Sequence, residues 1–274
     1  MSGSAMIGKS TSTIATSSSY GNIAISSGAG IYSISGAKIY LGYTSWTSTS
    51  DNSPSELTGG VCGNYLSNSV SATAYGGGIY TQGQLYINSG NISYNYAING
   101  AGIYTESNIT MTGGTIKGNE GNTSGDGGGV YVNKGTFTMS GDSKILDNKN
   151  MDEGAGIYLY YNNCKLVMKG GEISGNIAKT HGGAVYMHDL NSDNHSDLQI
   201  SGSSYIPYGG AVNINDIYML DFNAKITITG SLSNREADKL ISITPYTYTE
   251  GKTLLKADSG VSLEYDPTHF VGNV

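Results

Sequence analysis

A polar segment in the last third of the chain holds the densest group of potential metal ligands. Asp189, Asn191 and Asp193 stand at every second position, which is the spacing at the start of a calcium-binding loop. Such a loop also needs glycine at its sixth position and glutamate at its twelfth, where this chain has Asn194 and Ile200. The sequence therefore favours a polar surface loop over a metal site, and we expect neither a metal nor another cofactor.

Carboxylates that act together in polysaccharide cleavage must be gathered on one face of a protein. The acids of this chain form no recurring pair in the sequence. Those nearest its middle are Asp126, Asp142, Asp147, Asp152 and Glu153. We therefore expect no catalytic residues and no enzyme activity, and a polysaccharide-active enzyme is the less favoured alternative.

Tyrosine is the residue whose placement best suits recognition. A tyrosine that follows Ile or Val recurs at Tyr32, Tyr80, Tyr104, Tyr131, Tyr158 and Tyr186. Because alternate residues of a strand face opposite sides, an inward Ile or Val predicts an outward tyrosine, and stacked turns would present an exposed aromatic stripe. This stripe either binds a sugar ring or a partner protein, or only stabilises neighbouring strands. The binding candidates are Tyr80, Tyr104, Tyr131, Tyr158 and Tyr186.

These tyrosines belong to a repeated phrase of small residues, mostly glycine, followed by Ile or Val and then Tyr. Its copies begin at Gly28, Gly76, Gly100, Gly127, Gly154 and Gly182, and a weaker copy, GGAVN, begins at Gly209. The usual step is about 27 residues. A fixed period of this length is typical of a solenoid, whose turns bury their apolar sides against each other.

The copy that begins at Gly127 illustrates the content of one turn. Its apolar residues come in three groups, at Val130–Val132, Phe137–Met139 and Ile145. Apolar residues alternate with others in the first two groups, and Gly and Asn interrupt every gap, which favours short strands over helices. Three strands per turn predict an all-β, single-stranded parallel β-helix with about eight turns of about 27 residues.

Asparagine closes the third strand of successive copies, at Asn64, Asn95, Asn119, Asn148 and Asn176. Stacked side-chain amides can link one turn to the next and satisfy the carbonyl groups of a bend. We therefore predict a buried structural ladder that includes Asn95, Asn119, Asn148 and Asn176.

The repeat divides the chain into three parts. Residues 1–27 are predicted to be a vector-derived remnant and an irregular N-terminal turn, residues 28–235 the β-helix, and residues 236–274 a C-terminal cap or the join to a following domain. The long step between the first two copies predicts an insertion near residues 43–58, which contains Trp46. Inserted loops of solenoids often lie on a binding face, so Trp46 is a further ligand-binding candidate, although packing against the coil is the favoured interpretation.

Composition and charge exclude two classes of partner. The net charge is -7, and the chain lacks the clusters of Lys and Arg that nucleic-acid binding needs. No stretch approaches the ~20 apolar residues of a membrane span. Cys62 and Cys164 lie about four predicted turns apart, which is too far for a disulfide, so both are expected to be free thiols in a monomeric protein.

Two tetrapeptides carry a resemblance to a known family. ISGN at Ile173–Asn176 and GGAV at Gly182–Val185 resemble the paired FxxN and GGA[ILV] motifs of polymorphic outer-membrane proteins, whose passenger domains are autotransported. This resemblance implies a right-handed β-helix and an exported module at the bacterial cell surface or outside the cell. It also implies an adhesin that binds a glycan or a surface protein of a host or neighbouring cell, with an inert stalk as the alternative.

Overall fold

The structure describes fifteen ranges of this chain. In the computed structural model these are residues 6–8, 22–24, 27–42, 60–66, 74–122, 124–150, 152–160, 163–188, 195–207, 209, 213–220, 224–232, 241–245, 255–259 and 270–272. All regular structure within these ranges is β-strand. None of them contains a helix long and apolar enough to cross a membrane.

The strands are short, mostly of two to four residues. The first fourteen are β1 Met6–Gly8, β2 Ile23–Ala24, β3 Ile31–Ser33, β4 Lys38–Leu41, β5 Gly60–Cys62, β6 Tyr65–Leu66, β7 Ile79–Thr81, β8 Gln84–Ile87, β9 Asn91–Ser93, β10 Tyr96–Ala97, β11 Ile103–Thr105, β12 Ile109–Met111, β13 Thr115–Lys117 and β14 Glu120–Gly121. The others are β15 Val130–Val132, β16 Thr136–Met139, β17 Lys144–Leu146, β18 Lys149–Asn150, β19 Ile157–Leu159, β20 Lys165–Met168, β21 Glu172–Ser174, β22 Ile177–Ala178, β23 Val185–Met187, β24 Asp197–Gly202, β25 Ile217–Met219, β26 Lys225–Leu232, β27 Ile241–Pro245, β28 Leu255–Ala257 and β29 Phe270–Gly272.

The strands form four parallel sheets that run along the coil. The first sheet has the order β3-β7-β11-β15-β19-β23-β25-β27-β29, and the second has the order β4-β8-β12-β16-β20-β24-β26-β28. The third sheet has the order β1-β5-β9-β13-β17-β21, and the fourth has the order β2-β6-β10-β14-β18-β22. Each strand therefore pairs with its copy in the turn before and the turn after, and the predicted all-β parallel β-helix is confirmed.

The core consists of equivalent side chains stacked in register. Ile103, Ile109, Met111 and Ile116 point inward from one turn, and all four are buried. Their register partners in the next turn are Val130, Phe137, Met139 and Ile145. Burial of each such side chain contributes roughly 1.5–3 kcal/mol, but only when the neighbouring turns are present to cover it.

The turns differ in two respects from the prediction. A full turn contains four strands rather than three, because a two-residue strand such as β14 follows the buried asparagine. The complete turns number about six rather than eight, since the third and fourth sheets have six strands each while the first and second continue to nine and eight.

The repeat also continues at a different place from the predicted copy at Gly209. Ile217 and Tyr218 in β25 pair in register with Val185 and Tyr186. The first sheet therefore continues through an Ile-Tyr pair that lacks the glycines of the phrase. Between β24 and β25, Ile214 forms an antiparallel bridge with Ile177.

The predicted insertion near residues 43–58, including Trp46, lies outside the described residues. Within the C-terminal part, three described strands continue the coil. β27 and β29 extend the first sheet, and β28 extends the second.

Candidate functional site

The structure places all five predicted asparagines in one buried column along the coil, here called the asparagine ladder. Asn64, Asn95, Asn119, Asn148 and Asn176 are each 0% exposed. Asn119 is typical, because its Nδ2 donates to Asn148 Oδ1 at 3.0 Å and to the Ile92 carbonyl at 3.0 Å. Its Oδ1 in turn accepts from the backbone N–H and the Nδ2 of Asn95, at 3.0 and 2.9 Å. The amide of Asn119 is therefore fully engaged within the coil.

Glycine lets the asparagine ladder lie close to the first sheet. A Cβ placed on Gly129 would be 2.6 Å from the Gly156 carbonyl oxygen and 3.0 Å from Asn148 Nδ2. The same crowding surrounds Gly102, next to Asn119. The asparagine side chain thus packs against the last glycine of the phrase, and both residues have a structural role.

The recurring tyrosines form a column of parallel rings on the outer side of the first sheet, here called the tyrosine stack. Consecutive ring centroids lie 4.9–5.4 Å apart, close to the strand spacing predicted from the repeat. The members are Tyr32, Tyr80, Tyr104, Tyr131, Tyr158, Tyr186 and Tyr218. Tyr218 is the member that the sequence analysis did not identify.

The expectation that these tyrosines form an exposed stripe is wrong. Tyr80, Tyr104, Tyr131, Tyr158 and Tyr186 are only 2–7% exposed, and only Tyr32, at the N-terminal end of the stack, is open at 55%. Each inner ring has one neighbour above and one below, so both of its faces are covered. The side chains that flank the stack cover much of what remains.

Two rows of side chains flank the tyrosine stack. The leading row lies five positions before the tyrosines from Tyr80 to Tyr186 and comprises Tyr75, Asn99, Asp126, Glu153 and His181. The trailing row lies two positions after the tyrosines from Tyr80 to Tyr218 and comprises Gln82, Glu106, Asn133, Tyr160, His188 and Leu220. Both rows contain half-buried aromatic and acidic side chains, which are the groups that reach solvent beside the stack.

Aromatic members of both rows pack directly on the stack. In the leading row, Tyr75 stacks on Tyr104 at 4.5 Å, and His181 stacks on Tyr218 at 4.2 Å. In the trailing row, the Tyr160 centroid lies 5.6 Å from that of Tyr131. At these positions the rings of the rows extend the aromatic surface of the stack over the first sheet.

Acidic members of the rows accept hydrogen bonds from the phenols of the stack. Tyr80 donates its hydroxyl to Glu106 Oε1 at 2.6 Å. Tyr158 donates to the Asp126 carboxylate, and Tyr186 donates to the Glu153 carboxylate. Burial raises the pKa of all three phenols well above the ordinary value, so they remain protonated donors at neutral pH.

The carboxyls of Asp126 and Glu153 occupy equivalent positions in adjacent turns. The pKa of Asp126 is raised to about 7, first by burial and then by the nearby charges of Glu153 and Asp152, while hydrogen bonds from the Glu153 backbone N–H and the Tyr158 hydroxyl lower it. Burial also raises the pKa of Glu153, while the Tyr186 hydroxyl lowers it. Burial lowers the pKa of His181, whose Nδ1 lies 4.0 Å from Glu153 Oε1. One of these two carboxyls is thus suited to hold a proton near neutral pH.

The sequence analysis treated Asp126 and Glu153 as scattered acids, and the structure corrects this. Each residue immediately precedes a glycine phrase, at Gly127 and at Gly154, so both belong to the leading row. That shared position was the signal that could have paired them. Asp147, by contrast, lies on another face, where its carboxylate is 3.7 Å from Lys117 Nζ.

Asp189, Asn191 and Asp193, like Trp46, lie outside the described residues. Among the residues that are described, no group of three or more His, Cys, Asp or Glu side chains is arranged to hold a metal ion. Cys62 and Cys164 are buried free thiols, as predicted.

Comparisons with protein-family models, with curated proteins and with solved structures find no match for this chain. The class that the fold itself defines is a parallel β-solenoid with an internal amide ladder and an outer tyrosine stack. The resemblance to polymorphic outer-membrane proteins rests on the two tetrapeptides alone.

Replacing Asp126 with Asn should stabilise the protein above pH ~7 and change its stability little below pH ~4. Between the ordinary pKa of 3.8 and the folded value of about 7, the unfolded chain loses its Asp126 proton before the folded chain does. Stability is therefore lost as the pH rises through this range, and the loss is constant above it. The full shift corresponds to as much as ~4 kcal/mol, and because the carboxyl is only half-buried we expect about 2 kcal/mol.

Urea denaturation of the parent and the variant across this pH range measures the difference in their free energies of unfolding. The contributions of the titratable groups that both proteins share cancel in this difference. Asp142→Asn, in an exposed turn, is the matched control and should change the stability little. A stability difference for Asp126→Asn that does not vary with pH would contradict the assigned electrostatics.

Proposed function

We propose that this protein is a secreted or cell-surface interaction module that binds a glycan chain along the first sheet, between the leading and trailing rows. The observation that carries the proposal is the long strip of half-buried aromatic and acidic side chains that these rows form beside the tyrosine stack. Sugars are bound by aromatic surfaces together with fixed hydrogen-bond acceptors, and this strip supplies both.

The groups available to a ligand differ from those that the sequence suggested. The ring faces of the inner stack tyrosines cover one another, so they are not the binding surface. Tyr160 and His188 in the trailing row, whose rings stack at 5.2 Å, and Tyr75 in the leading row are better placed. The repeat spacing of the rows suits an extended polymer more than a small molecule.

The charge of the strip favours a neutral or amino-sugar polymer over a uronic-acid polymer. Glu106, Asp126 and Glu153 belong to the rows, and Asp152 lies next to them, whereas the rows contain neither Lys nor Arg. Negative side chains repel a polyanion and tolerate a neutral or cationic one. Display outside the cell is supported by the resemblance of ISGN and GGAV to autotransported passenger repeats, with a glycan of a host or neighbouring cell as the ligand.

Replacing Tyr160 with Ala should reduce glycan binding about tenfold, which corresponds to ~1.4 kcal/mol for an aromatic anchor at a binding surface. Binding of the parent and the variant to an array of neutral, amino-sugar and uronic-acid glycans, followed by titration of the best ligand, measures this effect. Tyr86→Ala is the matched control, because Tyr86 is a half-buried stacked tyrosine on the second sheet, 4.8 Å from Tyr40. Equal binding by Tyr160→Ala and the parent would exclude the strip, and a parent that binds no glycan would favour an inert stalk.

A polysaccharide-active enzyme is the second candidate, and one observation favours it. Asp126 and Glu153 are neighbouring carboxyls with raised pKa values, and a raised pKa suits one of them to act as a general acid while the other serves as the ionised partner. Incubation of the best-bound glycan with the parent protein tests this alternative. New reducing ends that disappear in Glu153→Gln would replace the binding module with an enzyme, and unchanged glycan would support the binding module.

A further inference from the structure

The tyrosine stack brings together oxidisable rings in an arrangement that glycan binding does not use. Tyr158 and Tyr186 lie face to face, with centroids 5.0 Å apart and an angle of 2° between their planes. Both rings are only 2% exposed. Electron transfer weakens steeply with distance, so two parallel phenol rings in contact exchange an electron more readily than separated ones.

Oxidation of a buried phenol also requires a place for its proton. Loss of an electron alone would leave a positive charge in a poorly solvated site, which is costly. Above the pKa of Asp126, about 7, Tyr158 and Tyr186 each donate a hydrogen bond to a carboxylate, of Asp126 and Glu153 respectively. Transfer of the proton along that bond leaves a neutral phenoxyl radical beside a neutral carboxylic acid, so oxidation removes a half-buried negative charge instead of creating a positive one.

We propose that Tyr158 and Tyr186 form a site of one-electron oxidation, in which a neutral tyrosyl radical is shielded from solvent and shared between the two stacked rings. The co-reactant is a one-electron oxidant, such as a peroxyl radical or a photogenerated ruthenium(III) complex. This proposal does not rest on the proposed glycan binding, although the carboxyls of Asp126 and Glu153 also belong to the leading row.

Each step balances in electrons and protons. In the first step the oxidant takes one electron from Tyr158 and is reduced, the phenolic O–H bond breaks, and its proton bonds to the Asp126 carboxylate. In the second step Tyr186 gives one electron to the Tyr158 radical and its proton to Glu153, while Asp126 returns its proton to Tyr158. The radical then resides on Tyr186, and no further reactant is consumed.

The trailing row offers a route by which oxidation at the surface reaches this pair. Tyr160 lies over both Tyr131 and Tyr158, at 5.6 and 6.1 Å, and is more exposed than either. An oxidant too bulky to enter the protein would therefore meet Tyr160 first. The inner pair, protected from solvent and from other radicals, is where an oxidised state would persist.

Flash oxidation of the whole protein with photogenerated ruthenium(III) tris-bipyridine tests the proposal, with the absorption and electron spin resonance of tyrosyl radicals as the readout. We expect two decay phases, a fast one from exposed tyrosines and a slow one from the buried pair. The double variant Tyr158→Phe/Tyr186→Phe, which keeps both stacked rings, should lose the slow phase. The double variant Asp126→Asn/Glu153→Gln, which keeps both phenols, should lose most of it.

Tyr40→Phe/Tyr86→Phe is the matched control, since this half-buried pair on the second sheet also stacks, at 4.8 Å. Tyr86, however, donates its hydroxyl to Gln84 Oε1, which is an amide oxygen and not a carboxylate. This control variant should keep the slow phase. Circular dichroism establishes that each variant is folded. A parent protein without a slow phase, or a slow phase that survives in folded Tyr158→Phe/Tyr186→Phe, would overturn the proposal.

Discussion

Replacing Asn119 with Ala is expected to lower the free energy of unfolding by about 3 kcal/mol, because three buried groups lose their partners at once. The Asn95 Nδ2 and the Asn95 backbone N–H both lose Asn119 Oδ1 as acceptor, and the Ile92 carbonyl loses its donor. All of this occurs where the asparagine is 0% exposed, so water cannot replace the missing bonds without opening the coil. A change of this size should lower the melting temperature by about 6–12 °C in a chain of this length.

Lys117→Ala provides the matched control for Asn119→Ala. Lys117 lies two residues earlier in the same turn, but its side chain is 43% exposed, and its ion pair with Asp147 has an N–O distance of 3.7 Å. A pair of this kind contributes ~0–1 kcal/mol, so the melting temperature should change little. Thermal unfolding followed by circular dichroism compares the two variants. Equal shifts for both would contradict an inward asparagine ladder.

The parallel coil could be predicted because residues of the same type recur at equivalent positions in every turn. Ile103, Val130 and Ile157 occupy one register position, and the asparagines occupy another, so both columns are visible in the sequence as periodic residue types. The fourth strand of each turn could not be predicted in this way. A strand of two residues, such as Tyr96–Ala97, is too short for an alternation of apolar and polar residues to appear.

The burial of the tyrosine stack could not be predicted from alternation alone. Alternation identifies the side of the sheet on which a tyrosine lies, but it does not identify what covers that side. The cover for Tyr104 comes partly from Tyr75 of the preceding turn, and the cover for Tyr158 comes partly from Tyr160 of its own turn. Such contacts depend on the angle at which the chain enters and leaves the first sheet, which the residue types do not specify.

The pairing of Asp126 and Glu153 was missed for a different reason. The leading row is constant in position but varied in residue type, since it also holds Tyr75, Asn99 and His181. A search for one recurring residue cannot find such a row. A search by position relative to the glycine phrase would have placed the two carboxyls in adjacent turns and next to the phenols.

The central structural claim is that the tyrosines form a buried stack hydrogen-bonded to carboxylates. The ionisation of the tyrosines tests this claim most directly. Burial is the largest cause that raises the pKa of Tyr80, Tyr104, Tyr131, Tyr158 and Tyr186 far above the ordinary value. Like-charge neighbours, mainly other phenols and the carboxylates of the rows, raise it further. These phenols should therefore stay protonated at a pH where exposed tyrosines are fully ionised.

A stopped-flow jump from neutral pH to about 1.5 units above the ordinary phenol pKa of ~10, followed by phenolate absorbance, makes this measurement. Exposed tyrosines should ionise within the mixing time. At least five of the 22 tyrosines should ionise only in a slow phase that coincides with the loss of β-structure seen by circular dichroism. Protein already unfolded in urea should give the fast phase alone. Complete ionisation of folded protein within the mixing time would contradict the buried stack and restore the exposed aromatic stripe.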